Sequence, residues 1–268
     1  MKIVGSMARF IPYLSEDAIE RDAAALLHEF ASARGVPIEP PIPIEDIVEK
    51  HLKLGIEFDD THQLFGVPRP VVDPDILDAI FFDDRRIVID ESLDPEENPA
   101  KEGRYRFTLG HEGGGHWRLH RHLFAKDWAQ ATMLGRRTAP SFICRSSEAK
   151  RREEWQADFY SSCLLMPRKL VMQAWCERFG NDHPRVLRRK DRIVVPDDIE
   201  DEIVTAARAS DEADYNEAMK LFARPFAEQF LVSPLAMCIR LERLGLLHRE
   251  VPGQRSLLAQ RKKILGRP

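Results

Sequence analysis

Long apolar runs are missing from this chain of 268 residues. No stretch approaches the roughly 20 apolar residues of a membrane helix, and the N-terminal MKIVGSMARFIPYLSED has no run long enough for a signal-peptide core. Both absences predict a cytoplasmic protein with no membrane contact. Cysteine is sparse as well. Cys144, Cys163, Cys176 and Cys238 form no CxxC pair and are too few for a disulfide scaffold. Free, mostly buried thiols are expected, although Cys144 and Cys163 lie near the functional segments described below. Charge of one sign is not in excess either: a formal net charge of -4 excludes whole-surface attraction to a polyanion and leaves room only for a local basic patch. There is no internal repeat and no low-complexity tract.

What is present is an ordinary 43% of hydrophobic residues, enough for a sizeable core in one domain with appendages or in two small ones. Asp17 to Arg34 carries apolar residues at helical spacing (Ile19, Ala23, Leu26, Leu27, Phe30), with Gly35 as a stop. VPIEPPIPIED (Val36 to Asp46) forbids helix through its prolines, and Ile44 to Leu52 predicts a short helix after it. Leu54 to Phe58 alternates like a strand. Ala79 to Phe82 and Arg86 to Ile89 flank Asp83, Asp84 and Arg85 as a hairpin, so the predicted sheet is small and precedes the central histidines. Helix is expected from Gly103 onward and again from Ser147 to Leu165, stopped by Pro167, with a polar connection from Leu123 to Cys144 between them. Arg185 to Arg192 reads as a solvated linker or helix face. One helix ends near Phe230, and Ser233 and Pro234 start another that stops at Gly245.

The chemistry is concentrated in HEGGGH, His111 to His116. The usual zinc motif places two histidines four apart on a helix with a glutamate directly after the first. Here they are five apart. On a regular helix, five steps of about 100° leave the two rings about 140° apart, too far round to share an ion. A single π-bulge would bring them back to one face, and such bulges concentrate at functional sites. Gly113, Gly114 and Gly115 make that distortion sterically easy at about 1 kcal/mol each in ordinary helix stability. Metal binding, worth on the order of ten kcal/mol, can offset this. A third ligand is then needed. EEWQAD (Glu153 to Asp158) supplies Glu154 and Asp158 one helical turn apart, suited to a ligand and its hydrogen-bonding partner.

RFTLGHEGGGHWRLH followed by EEWQADFYSSCLLMP resembles the ImmA/IrrE family of zinc metallopeptidases, whose members usually show FTLAHELGHxxLH and then ExEANxFAxxLLMP. The likeness extends to the N-terminal helix and its proline-rich sequel, to IVID (Ile87 to Asp90), and to FLVSPLAMCIRLERLGLL (Phe230 to Leu247). The extra glycine and Gln156, where a second glutamate is common, depart from that pattern, although a His-Glu-x-x-Gly-His spacing is similar to the motif of the dipeptidyl peptidase III family.

The resemblance implies an α+β, mostly helical, zincin-like metallopeptidase over residues 1–190, with a small sheet edging the active-site cleft. Residues 191–268 would form a helical lobe packed on it. It implies Zn2+ held by His111, His116 and Glu154, with Glu112 as the general base and Asp158 orienting a ligand histidine. His120 would be an outer partner or a packing residue. The implied reaction is hydrolysis of a peptide bond in a protein substrate such as a transcriptional repressor, by a water that the zinc acidifies and Glu112 deprotonates. His120 and Tyr160 are candidates for stabilising the oxyanion, and the strand Arg86 to Asp90, if it edges the cleft, could hold an extended substrate by strand addition.

A competing reading is a catalytically silent regulator of the same fold that binds a partner or DNA. AEQFLVSPLAMCIRLERLGL has the cadence of a helix-turn-helix, and Arg240, Arg243, Arg249, Arg255, Arg261, Lys262 and Lys263 cluster behind it. A helical lobe with solvated basic residues is favoured over DNA binding, since basic patches alone are weak evidence.

Overall fold

A computed structural model describes residues 11–71, 76–123, 140–145, 151–188 and 212–250. Helix α1 (Glu16–Arg34) begins where the Ser15 side chain accepts from the Ala18 amide and ends at Gly35 in the left-handed conformation. Its buried stripe is Ile19, Ala23, Leu26, Leu27 and Phe30, as the spacing predicts. After the proline-rich stretch, Asp46–His51 forms a short π-helix with Ile47 and Val48 buried.

Strands β1 (Gly55–Asp59), β2 (Ile76–Phe81), β3 (Arg86–Asp90) and β4 (Phe142–Arg145) form a sheet in the order β1-β3-β2-β4. The predicted hairpin is the antiparallel β2/β3 pair; β1 runs parallel to β3, and β4 antiparallel to β2. The short helix α2 (Thr61–Phe65) lies between β1 and β2 in the chain. Two expectations are corrected here. The sheet does not lie wholly before the histidines, because β4 follows them. Strand β3 is no edge: both its sides are paired, so its backbone cannot accept another strand.

Strand alternation sorts the β2 side chains. Ala79 and Phe81 join a small cluster with Val88, whereas Ile80 joins the main core together with Ile87 and Ile89. Asp78 shares the face of Ile80, so this lone carboxylate of an apolar strand points inward and is buried.

Helix α3 (Glu102–Leu109) runs directly into a π-helix from Gly110 to His120. Helix α4 (Arg152–Leu165) packs against that π-helix on one side and α1 on another. The described part of α4 starts at Arg152; the predicted start at Ser147 falls outside the described residues, as does most of the polar connection before it. Then come α5 (Arg168–Phe179), β5 (Arg185–Leu187), α6 (Glu212–Phe230), α7 (Pro234–Arg243) and β6 (Leu247–Arg249).

Arg185 to Leu187 is therefore neither linker nor helix. It pairs in parallel with β6, and Leu187 is buried. The main core is a cluster that runs from Ile19 to Leu247, so residues on both sides of position 190 share it. The whole is a mixed α/β structure, mostly helical with a small sheet. No described helix is long and apolar enough to cross a membrane.

Candidate metal centre

The π-helix is longer than the single bulge the sequence predicts, running through all eleven residues from Gly110 to His120. Its i to i+5 bonding stacks residues five apart, which puts His111 and His116 on one face. The glycines explain why it can lie where it does. A Cβ on Gly115 would stand 2.5 Å from the Ala157 Cα, and one on Gly114 would stand 2.8 Å from the Tyr160 ring. Both neighbours belong to α4. The glycines thus do more than permit the underwound turn, because they let the backbone of α4 approach until Glu154 reaches the histidines.

Three donor atoms converge. His111 Nε2 lies 3.1 Å from His116 Nε2 and 3.2 Å from Glu154 Oε2, and His116 Nε2 lies 3.5 Å from Glu154 Oε1. A tetrahedral ion with bonds of about 2.0–2.2 Å holds its ligand atoms roughly 3.3–3.6 Å apart. The three edges come within about 0.2 Å of that range, and the residues fit a metal ion. Glu112, the next residue after His111, is fully buried, and its carboxyl sits against the equally buried carboxyl of Asp78. Its Oε1 stands 3.9 Å from His111 Nε2. Two buried carboxyls side by side cannot both ionise unless a positive charge compensates them. An adjacent cation and a water would do so.

No protein-family model matches the chain, and no curated protein does.

Each histidine is oriented from behind. Asp158 Oδ1 lies 3.0 Å from His111 Nδ1, and His120 Nδ1 lies 3.0 Å from His116 Nδ1. Phe142 of β4 stacks on the His116 ring at 4.0 Å between centroids. Burial alone would lower the basicity of His111, but its hydrogen bonds to Asp158 and Glu154 outweigh that and raise its pKa to about 10. Burial dominates at His116 and lowers its pKa to about 3, Glu154 compensating only in part. At Glu154 burial is opposed first by the hydrogen bond from His111, and the carboxyl is held far below its ordinary range. Glu112 shifts the other way: burial and the neighbouring Asp78 carboxyl push it well above the usual value. Burial raises Asp78 too.

His111, Glu112, His116, His120, Glu154 and Asp158 are thus all brought together. Tyr160 is not, since its hydroxyl donates to Asp22 at 2.9 Å, on the α1 side of α4, and cannot serve an oxyanion. Asp78 and Phe142 are the neighbours that sequence reasoning missed. Asp78 had a signal, being a single acid within ILDAIFF. Phe142 had none, because β4 lies in a segment read as connection.

Among the described residues a second trio, Asp60, His62 and Asp90, also clusters. There the guanidinium of Arg69 donates to Asp60 Oδ1 at 2.8 Å and to both oxygens of Asp90, at 3.1 and 2.8 Å. That positive charge takes the place a metal would hold. Three of the basic residues near the C-terminal helices are likewise engaged within the chain. Arg240 is buried and donates to Glu20 and the Met166 carbonyl, Arg243 donates to Glu16, and Arg249 to Glu242. Arg255, Arg261, Lys262 and Lys263 lie outside the described residues. Cys163 and Cys238 are buried with pKa values raised by burial to about 11, which leaves them unreactive as thiols near neutral pH.

Proposed function

We propose that this chain is a zinc-dependent, zincin-like endopeptidase that hydrolyses a peptide bond in a protein substrate. The observation that carries the proposal is the convergence of two imidazoles and a carboxylate beside the buried Glu112. His111, His116 and Glu154 would hold the zinc, and the resemblance to the ImmA/IrrE metallopeptidases points the same way. A bound zinc supplies Lewis acidity, which acidifies a water and polarises a carbonyl.

The chain's own residues do the rest. Glu112 takes the proton of the attacking water and holds it for the departing amine. Its place directly after His111 sets its carboxyl beside the metal side of the site. Asp158 keeps the proton of His111 on Nδ1, away from the metal side. Among the described strands β4 ends the sheet beside His116, and it replaces β3 as the strand on which an extended substrate would add. A transcriptional repressor remains the substrate that the resemblance implies.

The direct test is metal content. Protein purified without added chelator should carry about one zinc per chain, and His116→Ala should carry none. Cleavage of a co-expressed repressor should stop when the zinc is chelated. Wild-type protein that takes up no zinc would remove the proposal.

Zinc uptake should also release a proton. In the apoprotein His111 is protonated below its pKa of about 10, and that proton occupies the metal side of the site. The apparent zinc affinity should therefore fall by up to about tenfold for each unit from pH 8 to pH 6. Titration calorimetry in two buffers of different ionisation enthalpy measures the proton count, and a count of zero would contradict the assignment of His111. Apoprotein stability follows the same groups. The raised His111 contributes fully below 6.5 and loses its contribution as pH rises through about 10. The depressed His116 makes stability fall as pH drops from 6.5 toward about 3, because the unfolded chain binds a proton that the folded one refuses.

A further inference from the structure

We propose that Gln156 is a positioning residue for this centre, fixing through His120 which nitrogen of His116 carries the proton, and that the Pro12 carbonyl in turn fixes Gln156. The inference rests on the metal reading but is carried by a separate set of hydrogen bonds.

The direction of the chain follows from what each atom can do. A carbonyl oxygen only accepts, so the Gln156 atom 2.9 Å from the Pro12 oxygen is the amide nitrogen. The amide oxygen is then the end that faces His120 Nε2, also at 2.9 Å. That oxygen can only accept in its turn, so His120 Nε2 is an N–H. A neutral imidazole has a single N–H, which leaves a lone pair on His120 Nδ1. His116 Nδ1 stands 3.0 Å from that lone pair and must donate to it. The proton of His116 is thereby held on Nδ1, and its Nε2 presents a lone pair toward His111 and Glu154.

His116, His120 and Gln156 are all buried, so water does not compete for these bonds. The N-terminal segment is fastened to the same helix a second time, because Arg152 donates to the Ile11 carbonyl at 3.0 Å. The two histidines are thus fixed by different means. A carboxylate, Asp158, orients His111 directly, whereas an uncharged relay three groups long orients His116. The relay also explains how Gln156 can stand where the related motif usually has glutamate: the oxygen facing His120 is retained, and the amide nitrogen gains the Pro12 contact.

The test uses the full chain and zinc alone, with affinity read by chelator competition. Gln156→Leu should lose about 10- to 100-fold in zinc affinity, the usual cost of removing a ligand's outer hydrogen bond. Gln156→Glu keeps an acceptor toward His120 but sets an oxygen against the Pro12 carbonyl, so it should lose less than Gln156→Leu without matching wild type. Melting of both apoproteins controls for folding. Nitrogen-15 spectra of the histidines in wild-type apoprotein read the relay without any variant, and should show His120 protonated on Nε2 and His116 on Nδ1. Equal zinc binding by Gln156→Leu and wild type, Gln156→Glu failing as badly as Gln156→Leu, or the opposite tautomers would each overturn the proposal. Absence of zinc binding by wild type would sink the metal reading, and the spectra would still decide the relay.

Discussion

Glu112→Gln should retain zinc at the wild-type level and lose about 10²- to 10⁴-fold in peptide hydrolysis, the range that a positioned general base contributes. The variant separates two roles that proximity alone confuses. Glu112 Oε1 is 3.9 Å from His111 Nε2, whereas Glu154 reaches both imidazoles within 3.5 Å, which is why the proposed site takes Glu154 as the ligand and Glu112 as the base. An amide cannot accept the water's proton, yet it fills the same volume. It should also be well tolerated. Asp78 Oδ1 is buried without a partner next to Glu112, and a glutamine in that position offers an N–H where the wild type sets two carboxyl groups side by side. Melting of the variant should therefore be no lower than wild type. Undiminished hydrolysis would show that Glu112 is not the base, and loss of zinc together with activity would make it a ligand.

Gly115→Ala should destabilise the protein by about 1–3 kcal/mol or more, the cost of overpacking a filled interior. It should also weaken zinc binding by about tenfold for each 1.4 kcal/mol that falls on the liganded geometry. The added methyl would lie 2.5 Å from the Ala157 Cα and 2.6 Å from its Cβ. Backbone cannot swing aside as a side chain does, so α4 must move as a body, and it carries Glu154 with it. Gly113→Ala is the informative comparison. There the new methyl meets Val48 Cγ2 at 2.7 Å, a side chain outside α4, so any loss of stability should leave zinc affinity less affected. The two variants report on different things, helix propensity being lost in both and the α4 approach in one. Equal zinc affinity in wild type and Gly115→Ala would mean that close packing of α4 does not set the ligand triangle.

Much of the architecture was legible where one periodicity ruled. The stripe of α1, its serine and glycine ends, the β2/β3 hairpin and the Ser233-Pro234 start of α7 all follow from local rules that act within a few residues. Strands β4 and β5 were not legible. Each is only three or four residues long, and each pairs with a segment far away in the chain: β4 with β2, and β5 with β6. Such short stretches carry too few alternating positions to be told from loop, and their pairing energy comes from partners that no local window contains.

The histidine spacing could be read as requiring an underwound turn, since five steps on a regular helix separate the rings. That the underwinding spreads over eleven residues is set by the surroundings, by Ala157, Tyr160 and Val48 pressing on a glycine surface. Sequence alone determined which side chains could bind a cation, because ligand type and an adjacent glutamate are matters of covalent identity. Tertiary structure decided everything directional: that Asp78 lies beside Glu112, that Phe142 covers His116, and that Pro12 and Gln156 set the tautomer of His120. Hydrogen bonds and desolvation depend on distance and angle between residues remote in the chain, and only the packed fold brings those within a few ångströms.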